Sequence, residues 1–285
     1  MKQKIKAVSL CLISILILAL AQGIAMAIGS LFTVFGSPAY IEAIVDALLY
    51  PILAFMGVKL IVEKLFKYSL AEFRVKKLNI KWYWIVISFL LPIFVIVLFQ
   101  FVSGSWVVLN VNIISKISIV VWGIFYYSIA AGIVEEMIFR GVIMGTLEKE
   151  FNLITAILVP SILFGAAHII GNSLDFISTI QLVVAGTLVG IMFSLIEYQS
   201  GNFWNNTVAH AFWNMSTIGL CHVGLTQSEN SLFTYVINTD STIISGGDFG
   251  IESSLFSIIG YSVVCIIALI LIKNQKFANT NKKKC

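Results

Sequence analysis

The chain has 285 residues, of which 59% are hydrophobic and only 11% charged, and its mean hydropathy is +0.98. Soluble domains carry about 25% charged residues, so this composition excludes an ordinary soluble protein and predicts an integral membrane protein. The formal net charge of +4 does not indicate nucleic-acid binding, because in a membrane protein the positions of the lysines indicate which loops are cytoplasmic. The expected partner is the lipid bilayer, and no nucleic acid is expected.

Eight apolar segments are long enough to be interpreted as transmembrane helices. Their predicted ranges are about 7–29, 40–61, 82–102, 117–147, 152–171, 177–196, 204–220 and 251–272. Ala25-Met-Ala27 resembles a signal-peptide cleavage site, but the first run is long enough to span and further spans follow, so we favour a retained first helix. The sequence thus predicts an all-α membrane protein, a polytopic bundle of about eight transmembrane helices.

The positions of the basic residues predict how the bundle is oriented. Segment 63–81 carries six lysine or arginine residues against two acids, which is typical of a cytoplasmic loop. With both termini in the cytoplasm, only Lys116 of the 18 basic residues lies outside. Glu42 and Asp46 near the start of the second segment are interpreted as a helix end that faces water. No internal repeat or second domain is evident, so residues 1–285 are expected to form one polytopic domain in the cell membrane.

The fourth apolar segment contains two adjacent carboxylates and an arginine, Glu135, Glu136 and Arg140. Ionised groups at bilayer depth are costly and persist where they are paired, hydrated or used. Glu136 and Arg140 are four residues apart, which on a helix places them on one face as an ion pair. Glu135 points about 100° away and has no evident local partner. One glutamate is therefore expected to be structural and the other available for chemistry.

His168, His210 and Asn214 lie within later apolar segments. Counted from the predicted cytoplasmic turns, Glu135 lies about 20 Å deep and His168 about 24 Å deep. His210 and Asn214, on one helix face, lie about 12 and 18 Å deep. A carboxylate and a histidine that share a water form a hydrolytic arrangement, and a histidine with an asparagine can stabilise an oxyanion. The same glutamate and histidines could instead bind zinc, and spacing alone does not decide between these alternatives.

Three motifs occur in order on successive segments: Glu135-Glu136-x-x-x-Arg140, Phe164-x-x-x-His168 and His210-x-x-x-Asn214. Together they resemble the CPBP intramembrane proteases, which include the type II CaaX prenyl endopeptidases and the bacteriocin-processing and immunity (Abi) proteins. The resemblance covers residues 132–214, within a catalytic core of about 117–220, and is of the bacterial type.

The resemblance implies a role for each matching residue. Glu135 and His168 would activate the water, and His210 and Asn214 would support the oxyanion. Glu136 with Arg140 would hold the site together, and Phe164 is expected to pack. No cofactor is certain. If zinc is bound, its ligands would be Glu135, His168 and His210.

The function expected from the resemblance is an intramembrane endopeptidase that cuts a membrane-associated substrate, prenylated or bacteriocin-like. One alternative is a non-catalytic membrane protein for immunity or regulation, in which the same polar cluster is structural. A proton- or ion-coupled transporter would also explain intramembrane Glu, Arg and His, but the lack of internal repeats counts against it.

Overall fold

The computed structural model describes the backbone of residues 2–282 and the side chains of residues 2–278. Most of the described chain is helical, 76% in all. The described helices that build the bundle are α1 (Lys2–Val34), α2 (Ala39–Leu65), α3 (Trp82–Phe99), α4 (Ile113–Glu150), α5 (Leu153–Ala167), α6 (Phe176–Ser200), α7 (Trp204–Asn214, continued by a π-helical segment, Met215–Leu220) and α8 (Leu255–Lys282).

Six of these helices, α1, α2, α3, α4, α6 and α8, are long and apolar enough to cross a membrane. The predicted fifth and seventh spans are present as helices, but α5 has 15 residues and α7 has 11 before its π-helical continuation. Both are shorter than the roughly 20 residues that cross a bilayer upright. Eight spans and two cytoplasmic termini therefore remain predictions, while a largely helical, multi-span architecture is present.

A small sheet interrupts the helical architecture, which the sequence did not predict. Its strands are β1 (Gly104–Val108), β2 (Cys221–Gly224) and β3 (Phe233–Ile237), in the order β1-β3-β2. β3 pairs antiparallel with β1 and parallel with β2. Trp106 lies opposite Tyr235 with ring centroids 5.2 Å apart, the kind of aromatic cross-strand pair that stabilises a sheet. The sheet thus joins segments 103–116 and 221–250.

At the other end of the bundle, the basic segment before α3 contacts the last turn of α4 and the short turn before α7. Arg74 forms an ion pair with Glu148, and Lys149 with Glu72 at 2.9 Å. The side chain of Asn202 donates to the Lys77 carbonyl oxygen at 2.9 Å. The segments that the charge pattern assigned to one side of the membrane therefore lie together.

Asp46 corrects one expectation from the sequence. It was interpreted as part of a water-facing helix end, but its exposed fraction is 0%. α1 and α2 pack closely, and the Asp46 carboxyl occupies the space that a side chain at Gly29 would need. Because Gly29 has no side chain, the helices can approach there, and the approach buries the acid. Neither carboxyl oxygen has a hydrogen-bond partner among the described residues.

Small residues bring α5 and α6 into close contact. A Cβ atom at Gly186 would lie 2.6 Å from Gly165 Cα, and one at Gly190 would lie 2.7 Å from Ser161 Cα. Gly186 and Gly190, four residues apart, form a small-residue pattern that allows two helices to approach closely. It fixes α5, which ends at His168, against α6.

The backbone of α4 is not uniformly α-helical. A π-helical segment, Trp122–Ala130, precedes the short α-helical stretch Ala131–Glu136, and a second one, Met137–Ile143, follows it. π-Helical turns are rare and occur frequently at functional sites. Both glutamates of the fourth segment lie at the end of the α-helical stretch between them.

Candidate active site

The centre of the site is a fully buried ion pair on α4. The Arg140 Nη1 donates to Glu136 Oε1 at 2.9 Å, and both side chains have an exposed fraction of 0%. Two further groups donate to the same carboxylate from α7. Asn206 Nδ2 lies 2.6 Å from Oε2, and His210 Nδ1 lies 2.8 Å from Oε1. Since buried charges are stable only when paired and hydrogen-bonded, Glu136 joins α4 to α7.

Aromatic rings enclose the guanidinium group of Arg140. Its Cζ atom lies 4.3 Å from the Phe164 ring centroid and 5.1 Å from that of Phe193. These cation–π contacts come from α5 and α6, so the cation is held by three helices. Phe193 also stacks on His210, with 5.2 Å between centroids and 7° between planes. Phe164, expected only to pack, therefore contacts Arg140 directly and lies 4.8 Å from the His168 ring.

Glu135 faces away from this ion pair into a cavity of about 260 Å³. Its side chain is 23% exposed, unlike that of Glu136. The cavity brings together side chains from α1, α4, α5, α6, α7, α8 and the segment before α8. Its polar lining residues are Gln22, Tyr126, Tyr127, Glu135, His168, Asn172, His210, Asn214, Glu252 and Tyr261. All four residues expected to be catalytic thus line one cavity.

His210 stands between the two glutamates. Its Nδ1 faces the Glu136 carboxylate and therefore carries a hydrogen, while its Nε2 lies 4.0 Å from Glu135 Oε2. With Nδ1 committed, Nε2 can donate only when the ring is an imidazolium. A protonated ring would be flanked by two carboxylates, which balances its charge. His210 is thus placed to present an N–H to the cavity.

His168 and Asn214 are each oriented by a backbone carbonyl. His168 Nδ1 lies 2.7 Å from the Phe164 carbonyl oxygen, an acceptor, so Nδ1 carries the hydrogen and the neutral ring has a free acceptor at Nε2. Asn214 Nδ2 donates to the Tyr127 carbonyl oxygen at 2.8 Å and retains a second N–H. These contacts hold both side chains at the wall of the cavity.

A zinc site would require several His, Cys, Asp or Glu side chains close together. Within the part of the chain whose side chains are described, no three His, Cys, Asp or Glu residues come together as a group that could hold a metal. Glu135, His168 and His210 all line the cavity, but they do not come close enough together to form a ligand set. The described site does not fit zinc, and we derive no step through a metal.

Asn206 and Glu252 are among the polar residues of the site that were not assigned from the sequence. Asn206 lies four residues before His210, so helical periodicity could have placed both on one face. Glu252 comes from a 3₁₀ turn, Ile251–Ser253, just before α8. No spacing rule relates that turn to α4, and only the folded chain brings Glu252 to the cavity.

The apolar helices and the buried glutamate–histidine site define the class of the protein, a multi-pass membrane protein with a polar site inside its helical bundle. Residues 116–216 match the family described as type II CAAX prenyl endopeptidase Rce1-like. The match confirms the resemblance to the CPBP family for the segment that holds the site, and the family is one of proteases. Comparison with curated proteins gave no match, and neither did comparison with solved structures.

Proposed function

We propose that the protein is an intramembrane endopeptidase that hydrolyses a peptide bond in a membrane-associated peptide or protein, in the cell membrane. The observation that carries the proposal is the meeting of Glu135, His168, His210 and Asn214 in one cavity. The family match adds independent support, because it identifies a protease family over the same segment.

In the proposed mechanism, a water molecule lies between Glu135 and His168. His168 Nε2 accepts one hydrogen of the water, since its Nδ1 is committed to the Phe164 carbonyl. Glu135 accepts the other hydrogen and takes that proton as the water oxygen attacks the scissile carbonyl carbon. General base catalysis of this kind contributes about 10²–10⁴-fold.

The attack places negative charge on the former carbonyl oxygen. His210 Nε2–H and the second N–H of Asn214 are the donors available for that oxyanion. Loss of one such donor costs about 10²–10³-fold in rate in other hydrolases. Glu136 does not react in this scheme. It holds His210 through Nδ1 at 2.8 Å and thereby fixes the orientation of the ring.

The test is cleavage of a pooled library of membrane-associated peptides, prenylated and unprenylated, by the purified protein in detergent, with products identified by mass spectrometry. Glu135→Gln and His168→Ala are expected to lower cleavage by about 10²-fold or more. Glu229→Gln is the matched control, because Glu229 is an exposed glutamate away from the cavity. Activity is expected to survive a strong chelator.

Full activity in both Glu135→Gln and His168→Ala would show that the catalytic assignment is wrong. No cleavage by folded wild-type protein would favour a non-catalytic immunity or regulatory protein. Cleavage of prenylated peptides alone would narrow the substrate class.

A further inference from the structure

A second carboxyl group reaches the cavity from outside the matched segment. Glu252 lies in the 3₁₀ turn Ile251–Ser253 and lines the same cavity as Glu135. The two glutamates come from different walls, one from α4 and one from the segment that closes the cavity before α8. The mechanism above gives Glu252 no role.

The turn that carries Glu252 is held firmly in place. Gln181 of α6 donates to the Ser253 carbonyl oxygen at 2.9 Å. Tyr261 of α8 donates to the backbone carbonyl of Glu252 at 3.1 Å, and the Ser257 hydroxyl donates to the Ile251 carbonyl. Hydrogen bonds from two helices therefore fix each carbonyl of the turn, which orients the side chain of Glu252 towards the cavity.

The carboxyl group itself has mostly neutral surroundings. The Thr217 hydroxyl donates to Glu252 Oε1 at 3.3 Å. Burial raises the pKa of Glu252 above its ordinary range, and the hydrogen bonds that Thr217 and Trp213 donate to the carboxyl group oppose the rise. The other titratable groups near the turn are Glu135 across the cavity, Tyr261 on α8, His222 on β2 and Asp248 in the preceding turn.

We propose that Glu252 is the general acid of the reaction, the group that protonates the leaving nitrogen. This inference rests on the proposed endopeptidase function. As the carbon–nitrogen bond of the tetrahedral intermediate breaks, its electron pair passes to nitrogen, and the Glu252 Oε–H proton is transferred to that nitrogen. Glu252 becomes a carboxylate, and Glu135 holds the proton taken from the water. Return of that proton to Glu252 through cavity water restores the starting state.

The environments of the two glutamates suit this division of work. A base must be ionised and an acid protonated at the same pH, and enzymes achieve this by giving two carboxyl groups different surroundings. Glu135 is 23% exposed and lies 4.0 Å from His210 Nε2, which carries a hydrogen in the proposed mechanism. The hydrogen-bond donors to Glu252, the Thr217 hydroxyl and the Trp213 indole N–H, are neutral, and burial raises its pKa, which favours the acid.

The test compares the rates at which one enzyme variant cleaves two substrates that differ only in the scissile bond. The substrate is the peptide that wild-type protein cuts best, and its analogue has a thioester in place of the scissile amide. A thiolate leaves without being protonated, whereas an amide nitrogen must gain a proton. Glu252→Gln is expected to cut the amide about 10²-fold more slowly and the thioester at the wild-type rate. Glu252→Asp should recover part of the amide activity, and Glu229→Gln is the matched control.

The pH profile supplies a second readout. Wild-type cleavage of the amide should fall at alkaline pH as Glu252 loses its proton, and this limb should be absent in Glu252→Gln. Thr217→Val removes the hydroxyl that stabilises the carboxylate, so its alkaline limb should move to higher pH. This variant keeps the test valid if Glu252→Gln does not fold.

Each other result overturns the proposal. Equal losses on amide and thioester would show that Glu252 is structural, and no loss on the amide would show that it is not the acid. Cleavage of neither substrate by wild-type protein would be a failure of the endopeptidase function itself, and the assignment of the acid would fail with it.

Discussion

The buried pair of Glu136 and Arg140 makes the sharpest prediction about stability. Glu136→Gln leaves the guanidinium of Arg140 buried without a counter-ion, because both side chains are 0% exposed. Removing one partner of a buried ion pair costs about 3–5 kcal/mol. The neutral amide also cannot accept from Arg140, His210 and Asn206 together, since one of its two polar atoms is a donor. We expect a loss of stability at the upper end of that range.

A double variant separates the effect of the ion pair on stability from the role of Glu136 in orienting His210. Glu136→Leu with Arg140→Met removes both charges and replaces them with apolar side chains, which is often neutral or stabilising for a buried pair. His210 and Asn206 would still lose their acceptor, at about 1–3 kcal/mol each. The double variant is therefore expected to be more stable than Glu136→Gln but to remain inactive, because nothing orients His210.

Stability would be measured by unfolding in mixed micelles with increasing SDS. The matched control is Glu72→Gln, whose ion pair with Lys149 has side chains 45% and 44% exposed and should contribute little to stability, because water and salt screen exposed ion pairs. The reasoning is refuted if Glu136→Gln is no less stable than this control, or if the double variant is the least stable of the three.

Three further predictions concern single elements. Asp175 caps α6 by accepting from the Ser178 N–H at 2.6 Å, so Asp175→Ala should lower the stability of the protein and Asp175→Asn should lower it much less, as measured by SDS unfolding. Gly186→Val should disrupt the contact of α5 with α6 and lower both stability and cleavage. Gly23→Ala, at a position with open space, should leave stability unchanged, and equal effects of the two substitutions would contradict the close contact. Burial raises the pKa of Glu252 above about 4.3, which is the value in an unfolded chain. The stability of the wild-type protein should therefore fall as the pH rises from that value through the pKa of the folded state. Glu252→Gln should lack this fall in a pH series of thermal unfolding, and the same slope in both proteins would contradict a buried, protonated Glu252.

The long helices and the polar residues on them could be predicted because their signals are local. Runs of apolar residues locate helices by length, and a spacing of four residues places Glu136 beside Arg140 and His210 beside Asn214. Local signals gave the wrong environment for Asp46, which was expected to face water but is buried by the packing of α2 on Gly29. That contact depends on where two helices meet.

The sheet and the outer wall of the cavity could not be predicted for a related reason. β1 and β3 are separated by more than a hundred residues, and β-strand stability depends on the neighbour that a strand acquires. Glu252 reaches the cavity only because Gln181, Ser257 and Tyr261 fix its turn. Such long-range contacts have no periodic signature in the sequence.

Because α4 contains two π-helical segments, the directions of its site residues depend on the number of residues in each helical turn as well as on which residues are present. A π turn accommodates an extra residue within a helix, so deleting one residue from Trp122–Ala130 could convert that segment to an ordinary α-helix. Each residue of an α-helix advances the side-chain direction by about 100°. Because an α-helix turns further per residue than a π-helix, it would make up for the missing residue, and Glu135 and Glu136 would still face nearly the same direction. A homologous chain with all the motif residues but one residue fewer in this segment would then keep the geometry of the site on an α-helical backbone.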